Sequence, residues 1–166
     1  MPVHDDRLHF EFLVLESMQA GLSWYIVLRK REHFRKAFAG FDPVQVAAFG
    51  QEQVDALLQD AGIIRNKAKI MAAINNAARF LEVQQEFGSF DRYIWGFTGG
   101  KPLINQWLTP DQLPGSTPLS DTVSRDLKKR GFKFMGTTVV YAHLQATGLV
   151  NDHLLDCFRW KEVQKT

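Results

Sequence analysis

Leu127-Lys-Lys-Arg-Gly-Phe-Lys-Phe-Met-Gly136 is a short turn bounded by two glycines, with a basic run leading into it. The chain on either side has helical character, so the segment reads as a hairpin between two helices. The first is expected to be capped by Ser120 or Asp121 and to run to Lys129. The second covers Thr137–Thr147. Its Thr-Thr-Val-Val-Tyr start has strand propensity, but its length, its Ala142–Ala146 portion and its helical surroundings favour helix. Gly148 ends it, and Asn151 or Asp152 is expected to open a final helix. In a hairpin of this kind, backbone N–H groups at the start of the second helix can hold a phosphate. The motif by itself is weak, because many helix pairs are joined through glycine.

Upstream of the hairpin, Thr98 to Pro118 contains Gly99-Gly100, Pro102, Pro110, Pro114 and Pro118, and reads as a long connection between two lobes. The preceding part is helical throughout. Leu8, Phe12, Leu15 and Met18 recur at helical spacing, with Leu13 widening the stripe, and predict a largely buried helix over 6–19. Ala20-Gly21-Leu22 interrupts it and Ser23 caps the next helix. Val27, Leu28, Phe34 and Phe38 form that helix's apolar stripe, Arg29, Lys30 and Arg31 face water, and Gly40 stops it. Asp42-Pro43 is a helix start, Gly50 and Gly62 are stops, residues 66–87 form the longest helix, and Phe90 to Phe97 make a short aromatic one.

The 166 residues suit one domain, and 45% apolar content argues against disorder. No apolar run reaches the roughly 18–20 residues of a membrane span. No signal peptide is visible at the N-terminus. The single cysteine, Cys157, excludes an internal disulfide framework and suits a reducing cytosol, hence a cytoplasmic protein. A net charge of +2 decides nothing about nucleic acid. Three basic clusters are more telling: Arg29 to Arg31, then Arg65, Lys67 and Lys69, then Lys128 to Arg130 with Lys133. They are either solvated helix faces or phosphate contacts, according to whether the fold gathers them on one side.

Three constellations could carry chemistry. Glu16 lies in an apolar helix, where a buried carboxylate without a partner costs several kcal/mol. Either it reaches water or Arg35 from the helix edge, or it is held in a pocket for a cationic ligand. Trp24, after the Ala-Gly-Leu-Ser turn, is either a core residue or a wall of that pocket. His153 and Cys157 stand at i and i+4, a spacing able to chelate zinc on one helical turn. A structural site needs four ligands, and the alternative is a capping histidine with a buried thiol.

Taken together, the chain resembles the 3-methyladenine DNA glycosylase I family of the helix–hairpin–helix superfamily. The resemblance rests on Leu15-Glu-Ser-Met-Gln-Ala-Gly-Leu-Ser-Trp24, Val27-Leu-Arg-Lys-Arg-Glu32 and Asp60-Ala-Gly-Ile-Ile-Arg-Asn-Lys-Ala-Lys-Ile70. It continues through Leu127 to Thr138 and Gly148-Leu-Val-Asn-Asp-His153. These blocks keep the family's order over nearly the whole chain. The resemblance implies an all-α, two-lobed helix–hairpin–helix glycosylase fold: a single domain over 1–166, with a helical lobe 5–97, a connection 98–119 and a helix–hairpin–helix lobe 120–166. It implies hydrolysis of the N-glycosidic bond of 3-methyladenine in double-stranded DNA by a monomer that leaves an abasic site, without lyase chemistry.

By the same resemblance Glu16 recognises the base as the catalytic residue, Trp24 stacks on it and Leu22 fills the gap left by the extruded nucleotide. Arg130, Gly131, Lys133, Gly136 and Thr137 grip DNA. Asn151 stands where the wider superfamily carries a catalytic aspartate. His153 and Cys157 look like half of the family's zinc clasp. Family members normally begin about twenty residues earlier, with a cysteine, a histidine and pocket tyrosines; zinc is therefore expected to bind poorly. A rival reading is a non-catalytic module that binds alkylated or abasic DNA.

Overall fold

The computed structural model describes residues 1–164, and helices dominate it. In chain order these are α1 (Asp6–Gln19), α2 (Trp24–Arg29), α3 (Arg31–Ala37), α4 (Pro43–Ala47), α5 (Gln51–Gln59), α6 (Lys67–Phe87) and α7 (Phe90–Gly96). They continue with α8 (Pro118–Lys129), α9 (Thr137–Ala146) and α10 (Phe158–Glu162). A two-residue strand β1 (Leu103–Ile104) pairs in parallel with β2 (Val150–Asn151).

Helix α1 decides where the chemistry can sit. It packs against α2, α6, α7 and α9. From His9 to Met18 only Phe12 escapes full burial. A helix surrounded in this way has no polar face, so its polar residues must find partners inside. Glu11 meets Arg31 at 2.6 Å and Arg35 at 3.1 Å. Ser17 donates to the Val14 carbonyl. His9 shares a hydrogen bond with His143 and another with the Val3 carbonyl. Glu16 is the exception.

The local signals act as expected at most boundaries. Asp5, Ser23, Asp42, Asn66 and Ser89 each accept a backbone N–H at a helix start. Four expectations need correction. Helix α8 begins at Pro118, not beside Ser120 or Asp121: Thr117 caps it by accepting from the Ser120 N–H, and Ser120 itself is fully buried. Proline at the first helical position fixes that start. Leu28 is 55% exposed and leaves the apolar stripe, because the chain kinks at Lys30 and divides the expected helix into α2 and α3. Asn151 and Asp152 open no helix. Asn151 belongs to β2, and α10 starts only after Cys157. The connection 98–119 supplies β1, which draws the Val150–Asn151 segment alongside it.

A single hydrophobic cluster runs from Phe10, Phe80 and Phe90 to Leu127, Phe132 and Leu144. Residues of α1, α6, α7, α8 and α9 therefore share one core.

Candidate active site and nucleic-acid interface

Glu16 is 1% exposed, and its Oε2 is buried with no hydrogen-bond partner. Arg35, the cation it might have met, is bound to Glu11 and Glu32 instead. With nothing to compensate burial, the carboxyl is pushed up to about 8. At neutral pH it is a protonated acid in the interior.

One turn beyond Glu16, α1 ends and the chain reverses through Gly21, whose φ of 80° suits glycine. The turn is tied at both ends. Leu22 N–H donates to the Gln19 carbonyl, and the Gln19 side-chain amide donates to the Leu22 carbonyl. Lys69, from α6, adds Nζ bonds to the Met18 carbonyl at 3.0 Å and the Ala20 carbonyl at 2.7 Å. Leu22 is left 37% exposed at the tip. Trp24 then opens α2, half-buried against the core. Glu16 and Trp24 thus lie on either side of one hydrogen-bonded turn. Neither lines the cavities found beside Met1, beside Tyr25 or beside Trp107.

The hairpin is built with equal care. Phe132 N–H donates to the Leu127 carbonyl and Gly131 N–H to the Lys128 carbonyl, the paired bonds of a Schellman end to α8. Gly131 takes φ 92°, and Phe134, not a glycine, is held at φ 54°. Gly136 opens α9, which has no side-chain cap, so the helix's first N–H groups remain available to an anion. A Cβ at Gly136 would meet no protein atom within 4 Å. The Thr137 hydroxyl is occupied by Asp121 and Ser120, both at 2.7 Å, and its backbone N–H is one of the helix's first, with no intrahelical carbonyl to meet. Lys133 is exposed.

Arg130 stands apart from the other hairpin residues. It donates to Glu86 at 2.6 Å and to Asp126 at 2.8 Å, and lies over the rings of Phe87 and Tyr93. These carboxylates hold its guanidinium firmly charged. Its charge is answered inside the protein.

His153 and Cys157 lie in the turn before α10, not on a helix, with Nδ1 and Sγ 4.0 Å apart. Asn151 spends its side chain on the Trp160 carbonyl and the His153 N–H. Among the described residues no group of three or more His, Cys, Asp or Glu side chains could hold a metal.

Sequence reasoning missed Asn75 and Asn76, and it placed Lys69 in a basic cluster as a solvated or phosphate-binding residue, whereas the structure buries it on α1 carbonyls. Asn76 Nδ2 donates to the Lys133 carbonyl at 2.9 Å while its Oδ1 accepts from the Lys133 N–H at 2.8 Å. Asn75 donates to the Gly131 carbonyl at 2.9 Å. The signal was present: Lys69 and Asn76 fall on the buried stripe of α6 with Ala73 and Phe80, where polar residues are out of place.

The chain is similar to known proteins of one family. The profile of the family described as Methyladenine glycosylase matches residues 1–160. DNA-3-methyladenine glycosylase 1 of Escherichia coli (strain K12) is 49% identical over 157 residues, which is 95% of this chain and 84% of the relative. A crystal structure of 3-methyladenine DNA glycosylase I superposes with a TM-score of 0.92 at 50% identity, covering 95% of this chain and 87% of that one. The 3-methyladenine DNA glycosylase I from Staphylococcus aureus, whose structure addresses 3-methyladenine recognition, matches with a TM-score of 0.92. Its identity is 35%, over 95% and 84% of the two chains. The chain belongs to the methyladenine glycosylase family.

Proposed function

We propose that this protein hydrolyses the N-glycosidic bond of 3-methyladenine in double-stranded DNA and leaves an abasic site. The observation that carries the reading is Glu16: a buried acid with a raised pKa and no cation of its own. Adenine methylated at N3 is positively charged while attached to the sugar, so its glycosidic bond is weak and the base departs neutral. The protein then has little need of a strong acid catalyst. It has to extrude the nucleotide, at a cost of a few kcal/mol, and recognise its charge.

Leu22, exposed at the end of the tied turn, fills the gap in the stack. The Trp24 face attracts a desolvated cation by about 2 kcal/mol. Glu16 ionises against that cation, passing its proton to water as the base enters, and accepts a charge-assisted hydrogen bond from the adenine edge. Ordinary adenine brings no charge to ionise the acid and gains no charge-assisted bond from it, so the same group binds it less tightly. The uncapped N–H groups of α9, with Gly131, Gly136 and Lys133 around them, take the phosphate; Arg130 braces the hairpin from behind. Water is the nucleophile.

His153 and Cys157 supply two donors, and the described residues offer no third, so a complete zinc site does not fit this donor set and no step depends on one. The sole cysteine is consistent with a cytoplasmic monomer, and no described helix is long and apolar enough to cross a membrane. Release of 3-methyladenine from methylated duplex DNA tests the reading. The wild-type chain frees the base, and a chain that retards the DNA while freeing none is a binding module instead.

A further inference from the structure

Helix α6 turns two costly polar residues inward. Lys69 is 7% exposed, and burial lowers the pKa of its ammonium. Its two bonds fall on Met18 and Ala20, the last carbonyls of α1, where a cation both caps the helix and meets the negative end of its dipole. The next residues in the chain are Gly21 and Leu22. Seven residues along α6, two turns on and about 10.5 Å further along the same face, Asn76 closes both of its amide bonds on Lys133. Asn75 holds the Gly131 carbonyl beside it. One straight helix therefore grasps the wedge turn at one point and the hairpin turn at another. An apolar stripe would have sufficed for packing alone, and asparagine is a poor residue for a helix interior.

We propose that Lys69 and Asn76 are positioning residues that set the spacing between the base wedge and the phosphate grip, so that a nucleotide is extruded only when its backbone is held in register. The inference rests on the glycosylase reading above. The two residues carry different duties. Lys69 fixes the attitude of Leu22, and Asn76 fixes the mouth of α9 against α6.

Full-length variants can be followed on duplexes that contain a tetrahydrofuran abasic analogue beside 2-aminopurine, whose fluorescence rises when the stack is opened. Lys69→Met keeps the apolar stem and removes the charge. It is expected to lower the fluorescence amplitude at saturating protein severalfold while its Kd for undamaged duplex stays within about twofold. Asn76→Leu is expected to lower the amplitude as well and, unlike Lys69→Met, to weaken binding to damaged and undamaged duplex alike, by about tenfold for the bonds lost. In the double variant the losses of amplitude should not add, because the two groups serve one spacing.

Wild-type amplitude and wild-type Kd in variants that merely melt earlier would overturn the proposal, as would strictly additive losses. Should Asn76→Leu fail to fold, Asn76→Asp, which keeps the acceptor and removes the donor, carries its test; should Lys69→Met fail, Lys69→Gln, which keeps a donor and removes the charge, carries the other. A wild-type chain that opens the stack but frees no base from methylated DNA would defeat the glycosylase reading and leave this one standing. An active wild type with unaltered variants would do the reverse.

Discussion

Burial without a partner makes Glu16 a source of both instability and selectivity. In the unfolded chain its carboxyl titrates near 4.5, and in the fold near 8. Between those values the unfolded chain has lost the proton and the folded chain has kept it, so stability falls as pH rises across the window. The slope reaches at most ~1.4 kcal/mol per pH unit. Glu16→Gln removes this penalty. Its melting temperature should exceed the parent's by a margin that widens from about pH 5 to about pH 8, while single-turnover release of 3-methyladenine falls by roughly 10- to 100-fold. A margin that stays constant with pH would put the carboxyl in water. At Trp24 the expected loss is different in kind. Trp24→Ala should weaken capture of the cationic base by about 30-fold, the equivalent of about 2 kcal/mol, and should leave affinity for the uncharged abasic analogue close to the parent's. Competition binding with the two duplexes checks this.

The hairpin separates residues that face outward from residues that hold it in place. Gly136 has open space where a side chain would stand, and its extended backbone is one that valine adopts freely. Gly136→Val should therefore change the melting temperature little and weaken DNA binding at least tenfold by crowding the phosphate, as anisotropy titration beside thermal melts would show. Arg130→Ala should do the opposite. It breaks bonds to Glu86 and Asp126 and should cost about 1–3 kcal/mol of stability, yet leave the dependence of DNA affinity on salt unchanged. Lys133→Ala should reduce that salt slope by about one.

The same contrast explains what was legible in the sequence. Caps such as Asp42-Pro43 and Ser23, the burial of α1 and the glycine-bounded hairpin are local codes that could be read directly, although Leu8 of the expected α1 stripe is 36% exposed and Phe12 only partly buried. The β1–β2 pair joins residues nearly fifty positions apart, and the late start of α10 depends on it; no local pattern announces either. Arg130 could be recognised as part of a basic run, but its carboxylates come from α6 and α8 and were invisible until the chain folded. Glu16 was legible as an anomaly. Its burial, and Glu11 taking Arg35, removed the reading in which it reaches water or that cation from the helix edge.

At the scale of the whole molecule, one continuous core holds two titrating centres that pull in opposite directions. His143 is fully enclosed, its Nδ1 has no partner, and burial, with the charge on His9 second, holds its pKa well below the ordinary value of 6.5. Burial also lowers His9, against the opposing pull of Asp91. Bases held neutral in the fold protect it above their unfolded pKa, and that protection is lost as pH falls below about 6.5. The fold should therefore lose stability through the histidine pair as pH falls below about 6.5, and through Glu16 as pH rises from about 4.5 to about 8. His143→Leu should reduce the first loss and leave the second as it was. The central claim is narrower, and a carboxyl-carbon NMR titration reaches it most directly, with Glu16 assigned by difference from Glu16→Gln. In the free protein the Glu16 carboxyl should titrate near 8, and with duplex DNA carrying a positively charged adenine analogue it should be ionised at neutral pH. A free-protein midpoint near the ordinary 4.5, unmoved by the cationic base, would contradict the account.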